Sequence, residues 1–210
     1  MKRCVTDLHY LPCLAWFAQI MMYDEVIIEK HEYYQKQSYR NRCHIRAAHG
    51  MHRLIIPVKV HGKVPVHQVP IDYSQKWVNN HWRTLVSAYR LSPFFEHYEH
   101  ELHQLLYSCV THLYQFNVNL LQAILKWLGV SVKLSETVAY QHHYSGAIAD
   151  LRNTIHPKLP TGTDLADPLR YRQVFGADFI ANLSIIDLLC CQGPGSAALL
   201  RAAIPHSRTN

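Results

Sequence analysis

Residues 31–45, HEYYQKQSYRNRCHI, are dense in hydrogen-bonding side chains. Cations supply charge for an anionic ligand, a guanidinium plane offers two parallel hydrogen bonds, and amides and phenols orient the ligand. The stretch therefore predicts a site for a phosphorylated small molecule, such as a nucleotide-linked sugar. The alternative is a solvated loop, because loops collect polar side chains anyway. The candidate ligand-binding residues are Tyr34, Lys36, Gln37, Tyr39, Arg40, Asn41 and Arg42.

A second group of polar side chains lies in the helical pattern NHWRTLVSAYR, residues 80–90. His81 is the candidate general base, because an imidazole titrates near working pH, and Arg83 is predicted to line the same cleft. The alternative for His81 is a surface histidine at a helix start. Near the end of the chain, Asp187 interrupts FIANLSIIDLL and needs a partner if it is buried, which makes it the second catalytic candidate.

Metal and thiol chemistry receive less support. His97, His100 and His103 are spaced by three, and each step of three drifts by about a sixth of a turn on a helix, so we predict no metal site. Cys13 follows Pro12 at a helix start and is the best nucleophile candidate of six cysteines. The alternative for Cys13 is a small core residue.

The first thirty residues predict the framework that positions these groups. A short strand in residues 5–11, an apolar helix in CLAWFAQIMMY and a strand in EVIIEK form a β-α-β opening with parallel strands. The polar stretch follows the second strand directly. Ligands of open parallel sheets bind beyond the carboxyl ends of the strands, so the position agrees with the predicted site.

Later segments complete an α/β fold that we predict to be a single domain, residues 1–210. CHIRAAHGMHRLIIPVKV predicts a β-hairpin with its turn at Ala48-His49-Gly50. Three helical patterns follow, forming a central helical pair or trio; Ser92 and Pro93 are expected to start the second, and Gly129 to end the third. VSVKLSETVAY predicts another strand, and a helix capped by Asn182 or Ser184 ends at Gly193-Pro194-Gly195.

Composition limits the classes of partner. The 210 residues are 49% hydrophobic and 17% charged, with a formal net charge of +6, as in a packed domain with a mild preference for anions. No contiguous basic stripe or nucleic-acid motif occurs, so we predict no nucleic-acid partner. The apolar run at residues 11–22 is too short for a membrane span and lacks a cleavage site. We therefore expect a cytoplasmic chain with reduced thiols.

Five blocks together carry a resemblance to a known family. They are YLPCLAWFAQIMMYDEVIIEKHEYYQKQSYRNRCHI, LIIPVK, HWRTLVSAYRLSPFFEHYEHEL, LGVSVKLSET and FIANLSIIDLLCCQGP. In this order they resemble the WbqC-like proteins of bacteria. Longer members have a Gln-Pro before the first helix, where this chain has residues 8–12, LHYLP. On matching positions the family pattern includes Tyr10, Pro12, Lys36, Tyr39, Asn41, Arg42, Lys59, Tyr89, Pro93, Phe94, Asn182, Ser184 and Asp187.

The resemblance implies a role in surface-polysaccharide (O-antigen type) biosynthesis, and with the polar cluster it gives the first hypothesis. A transferase would move an acyl or aminoacyl group, delivered by an acyl carrier, to a nucleotide-linked amino sugar. Lys36, Arg40 and Arg42 would hold the phosphates, Tyr39 and Asn41 would orient the sugar, and His81 or a neighbouring acid would take the amine proton. The sequence names no cofactor.

Two further hypotheses stay open. One is a non-catalytic binding or scaffolding protein of the same pathway, which would use an exposed patch over Phe94, Phe95 and Tyr98. The other is a hydrolase that depends on Cys13.

Overall fold

The computed structural model describes residues 1–144, 146–158, 169–176 and 178–204, and the prediction of an α/β fold is confirmed. The strands are β1 (Arg3–Asp7), β2 (Glu25–Glu29), β3 (Arg42–Ala47), β4 (Gly50–Ile55), β5 (Lys133–Glu136) and β6 (Ile148–Asp150). The helices are α1 (Leu14–Ile20), α2 (Trp77–Tyr89), α3 (Phe95–Leu106), α4 (Leu113–Leu128), α5 (Ile185–Gln192) and α6 (Ser196–Ala202).

A four-stranded parallel sheet in the order β5-β2-β1-β6 is the framework of the molecule. The inner strands β1 and β2 are buried along most of their length, which explains their apolar sequences, since strands of parallel sheets are covered on both faces. Each strand ends in an acidic residue: Asp7, Glu29, Glu136 and Asp150. Four carboxylates therefore meet at one edge of the sheet, which we call the carboxyl edge.

The predicted hairpin is β3 paired antiparallel with β4 around the predicted turn, with Gly50 at φ 110°. Period-2 alternation sends Cys43, Ile45 and Leu54 into the core. Arg42 pairs with Ile55 and His44 with Arg53, so Arg42, Arg53 and His44 share the opposite face. The strand ends at Ile55 and not at Val60, because Pro57 has no N–H to continue the ladder.

Helices α2, α3 and α4 form the predicted central trio, with their apolar faces in one core. Gly129 ends α4 in the left-handed conformation, as predicted. The predicted start of α3 was wrong: its N-cap is Phe94, and the hydroxyl of Ser92 instead donates to the carbonyl of Tyr89.

Two features of the carboxyl-terminal half need particular mention. Strand β6 was not predicted, because three residues carry too little periodicity and the strand exists only through its pairing with β1. Ser184, one of the two predicted caps, accepts a hydrogen bond from the amide of Ile186 and starts α5.

Across the described residues, every helix is too short or too polar to cross a bilayer.

Candidate active site

Charged side chains are buried together at the carboxyl edge. Three carboxylates, Asp7, Glu29 and Glu32, meet two guanidinium groups, Arg40 and Arg152, and all five side chains are almost fully buried. We call these five residues the buried charge network. Removing ions from water is costly unless each is paired and hydrogen-bonded, so the partners of each group decide which could bind a ligand.

Arg40 is paired inside the protein through Nε and Nη2. Its Nε and Nη2 donate to the two oxygens of Glu32, both at 2.7 Å, and Nη2 also donates to Oδ1 of Asn153 at 2.9 Å. The same nitrogen lies 3.2 Å from Oδ2 of Asp7. With 1% of its side chain exposed, Arg40 crosslinks the polar loop to β1.

Glu29 and Arg152 form the second half of the buried charge network. Glu29 accepts hydrogen bonds from the amide of His31, the hydroxyl of Thr137 and Nη1 of Arg152, at 2.8, 2.8 and 3.2 Å. The guanidinium of Arg152 also faces the rings of Tyr140 and Tyr144. These contacts tie β2 to the segments before and after β6.

The carboxylates differ in their electrostatics. Burial opposes ionisation of Asp7, but the charge of Arg40 and the hydrogen bond with His9 outweigh it and lower its pKa. Burial raises the pKa of Glu32, although Arg40 acts in the other direction. The partners of Asp7 therefore favour its ionised form despite burial.

His9 adjoins this network through Asp7. Its Nε2 lies 2.8 Å from Oδ2 of Asp7, and its ring, 1% exposed, lies 5.4 Å from that of Tyr39 and 6.0 Å from that of Trp16. Nδ1 is buried, and no residue in the described part of the chain supplies a hydrogen-bond partner for it.

Beside the buried charge network, the hairpin presents what we call the cationic face: Arg42, His44 and Arg53. Burial and the charge of Arg53 lower the pKa of Arg42, and burial together with both arginines lowers the pKa of His44. Nε of Arg42 is buried, and within the described ranges neither a hydrogen-bond acceptor for it nor a carboxylate partner is found. Crowded, unpaired cations of this kind favour an anionic ligand.

Aromatic and histidine side chains connect the two groups. Tyr39 packs against His9, while its hydroxyl lies 3.4 Å from Nδ1 of His44. Burial raises the pKa of Tyr34 to about 12, against the charges of Arg42 and Arg40. Burial and the charges of Lys158, Arg40 and Arg42 lower the pKa of His156, which brings a further segment to the same place. The cationic face and the carboxyl edge thus form one candidate site.

His81 lies nearby but is held by protein atoms on both ring nitrogens. Nε2 donates to the carbonyl of Ile55 at 3.1 Å, so Nδ1 accepts from the hydroxyl of Tyr10 at 3.0 Å. Burial lowers its pKa to about 4. The residue borders a cleft of about 250 Å³ that is also lined by His52, Arg53, Trp77 and Thr84. Since Ile55 pairs with Arg42, His81 and Arg42 lie at the same end of the hairpin.

Asp187 lies at the other end of β3. It accepts hydrogen bonds from the hydroxyls of Tyr89 and Tyr171 at 2.9 and 2.6 Å, and Tyr89 also accepts from the amide of Arg46. Burial raises its pKa. Arg46 is four residues from Arg42, about 13 Å at 3.3 Å per residue, so Asp187 does not join the cationic face.

The remaining predicted site residues are dispersed. Lys36 and Gln37 are exposed on the loop, and the amide of Asn41 donates to the carbonyl of Ile56. Arg83 is exposed and borders a separate cleft with Ser87 and Phe175. The structure thus groups Tyr34, Tyr39 and Arg42, places Arg40 beneath them and His81 nearby, and separates Asp187 and Arg83.

The sequence interpretation missed the residues at the base of the site. Asp7, His9, Glu29 and Glu32 were passed over, although an acidic residue directly after an apolar parallel strand was the available signal. His44 and Arg53 were missed although alternation along the hairpin places them beside Arg42. Among the described residues, no group of three or more His, Cys, Asp or Glu side chains is arranged to hold a metal ion.

The fold and the site together define an α/β protein with a candidate anion-binding site at the carboxyl edge of a parallel sheet. The chain belongs to the WbqC-like protein family, whose model matches residues 8–158, as the sequence blocks predicted. Over 143 residues the chain is 30% identical to the Mycobacterium tuberculosis protein Rv1507c, which is described as uncharacterised. The match covers 67% of this chain and 62% of that protein. The chain matches no solved structure.

Proposed function

We propose that this protein is a transferase that moves an acyl or aminoacyl group to a nucleotide-linked amino sugar in surface-polysaccharide biosynthesis. The observation that carries the proposal is the cationic face beside the carboxyl edge of the sheet, where Arg42 has no carboxylate partner within the described residues. Family membership supports the pathway, through the gene clusters from which the family takes its name.

The proposed roles differ from residue to residue. Arg42 and Arg53 bind the phosphates, because guanidinium groups make two parallel hydrogen bonds to phosphate oxygens and stay charged. Tyr34 and Tyr39 border the sugar, and exposed Lys36 adds charge at the entrance. Arg40 supports the loop from below, since its Nε and Nη2 are held by Glu32 and Asp7.

The structure offers less to the scaffolding alternative. Phe95 and Tyr98 are buried, and Phe94 packs against Gly193, so the three aromatic side chains do not form an exposed patch. The hydrolase alternative is weakened as well, because burial raises the pKa of Cys13 to about 11. At pH 8 only about one thiol in a thousand would then be a thiolate, the reactive form.

The test measures ligand binding to Arg42→Ala and Arg53→Ala by calorimetry, with UDP and a UDP-linked amino sugar as probes. Losing one charge-assisted contact costs about 1.5–3 kcal/mol, so each variant should bind about ten- to a hundredfold more weakly. Arg90→Ala, an exposed arginine at the end of α2, is the matched control and should bind as the parent does. Equal binding by all four proteins would refute the assignment of the cationic face.

A further inference from the structure

His9 and Asp7 form a hydrogen-bonded pair through Nε2 of His9. The other ring nitrogen of His9, Nδ1, has no hydrogen-bond partner among the described residues. Asp7 is ionised, because Arg40 and His9 outweigh its burial, and a carboxylate can only accept a hydrogen bond. In the neutral ring Nε2 must therefore carry the proton and donate to Asp7. The lone pair is thereby fixed on Nδ1, which is the atom left without a partner.

Retaining a bare, buried lone pair is costly. A buried acceptor without a hydrogen bond costs about 1–3 kcal/mol, and His9 is 1% exposed. His81 provides the contrast within the same molecule, since it is also buried but both of its ring nitrogens have partners. The difference leaves Nδ1 of His9 available to a hydrogen-bond donor from outside the described chain.

The position of His9 relates it to the proposed ligand. The ring of Tyr39 lies between His9 and the cationic face, because it packs against His9 and its hydroxyl reaches His44. A ligand with its phosphates on Arg42 and Arg53 would extend toward His9 past Tyr39. The hydroxyl of Tyr39 lies 3.4 Å from Nδ1 of His44, longer than an ordinary hydrogen bond, so this polar contact holds the side chain only weakly.

We propose that His9 is the general base of the transfer, with Asp7 as the positioning residue that fixes its tautomer. This assignment rests on the proposed function. The free amine of the sugar attacks the carbonyl carbon of an acyl thioester, a C–N bond forms, and the C–S bond breaks. Nδ1 of His9 accepts the proton that the amine nitrogen loses and returns it to the departing thiolate, which leaves as a thiol.

The geometry defines how Asp7 and Tyr39 contribute. Asp7 is itself held by the amide of Asn153 and by Arg40, so the carboxylate cannot turn away from His9. Tyr39 must move for the amine to reach Nδ1, because it covers the buried ring. The amine and the phosphates would thus be recognised by different parts of the site, the first by His9 and the second by the cationic face.

The first experiment determines the tautomer by ¹⁵N NMR of the histidine-labelled full chain. We expect the His9 ring to be protonated at Nε2 and bare at Nδ1. Adding a UDP-linked amino sugar should shift the Nδ1 resonance, whereas UDP alone should leave it in place. A neutral His9 ring that carries its proton on Nδ1 would overturn the assignment without bearing on nucleotide binding.

The second experiment compares transfer by the parent, His9→Gln and His103→Gln, with a UDP-linked amino sugar and acyl thioesters as substrates. Glutamine keeps a donor where Nε2 lies and so retains the bond to Asp7, but it lacks Nδ1. We expect kcat to fall by about a hundredfold or more, as for loss of a general base, while sugar binding changes little. His103→Gln, on the exposed face of α3, should match the parent.

The outcomes separate this assignment from the proposed function. Transfer by His9→Gln at the parental rate would overturn the role of His9 alone and leave the Arg42 site standing. A parent protein that binds no nucleotide sugar would overturn the proposed function and the His9 assignment with it.

Discussion

At the scale of single residues, burial separates two kinds of arginine that the sequence could not distinguish. Arg40 and Arg42 stand two positions apart in one polar stretch, and both were predicted to bind a ligand. Arg40 is enclosed by Glu32, Asp7 and Asn153, whereas Arg42 is partly exposed beside another arginine. The first is therefore a structural ion pair, and the second remains the candidate for an anion.

Arg40→Ala should therefore destabilise the protein strongly. It leaves Glu32 and Asp7 buried without their common partner, and breaking a buried ion pair costs about 3–5 kcal/mol. Urea denaturation measures the change in the free energy of unfolding. Arg90→Ala, which removes an exposed arginine, should change it by less than about 0.5 kcal/mol. An unchanged unfolding midpoint for Arg40→Ala would show that the buried charge network is not formed as described.

At the scale of elements, the end of α5 depends on one glycine. Gly193 has φ 52°, and a side chain there would overlap with the ring of Phe94, which leads into α3. Gly195, two residues later, has φ −70° and open space around its Cα. The backbone conformation and the ring of Phe94 therefore both restrict position 193 to glycine, whereas neither restricts position 195.

Gly193→Ala should be destabilising by about 1–3 kcal/mol, because the left-handed backbone is strained for alanine and Phe94 must move. Gly195→Ala is the matched control and should be neutral or slightly stabilising, since it only restricts the unfolded chain. Thermal or urea denaturation of both variants checks the pair. Equal stability of the two variants would contradict the packing of Phe94 on Gly193.

At the scale of the whole molecule, buried carboxylates couple distant parts of the chain to pH. Asp187 holds Tyr89 of α2 and Tyr171 beside α5, and Asp7 holds His9, Arg40 and Asn153. Their pKa values move in opposite directions: burial raises that of Asp187, and the partners of Asp7 lower that of Asp7 despite burial.

The two carboxylates should therefore affect stability with opposite signs. The native state holds the Asp187 proton more tightly than the unfolded chain, so its contribution is full below about pH 4 and is lost as pH rises through the folded pKa. The free energy of unfolding of Asp187→Asn should therefore rise relative to that of the parent as pH rises from 4 to 7.

Ionised Asp7 stabilises the folded protein at pH values above the pKa that Asp7 has in the unfolded chain. This stabilisation is lost as pH falls through the lower pKa of Asp7 in the folded protein. The parent should therefore lose its advantage over Asp7→Asn below about pH 4. Urea denaturation of the three proteins between pH 3 and 7 gives both differences. The same pH trend for both variants would contradict the pKa directions.

The sequence by itself determined the local elements and the family. Apolar runs and periodicity specify the β-α-β opening, alternation specifies the hairpin, and Gly129 ends α4, because each signal lies within a few residues of the structure it encodes. The polar stretch after β2 was located correctly at the carboxyl edge for the same reason.

Only the tertiary structure decided which polar residues share a site. Asp7, Glu32, Arg40 and Asn153 lie up to 146 positions apart and meet because parallel strands bring their carboxyl ends to one edge. The same packing buries Arg40 and places Asp187 in another cluster. It also gives both ring nitrogens of His81 a hydrogen-bond partner, whereas Nδ1 of His9 has none among the described residues. Such outcomes depend on how elements dock, and docking has no signature within a local window of sequence.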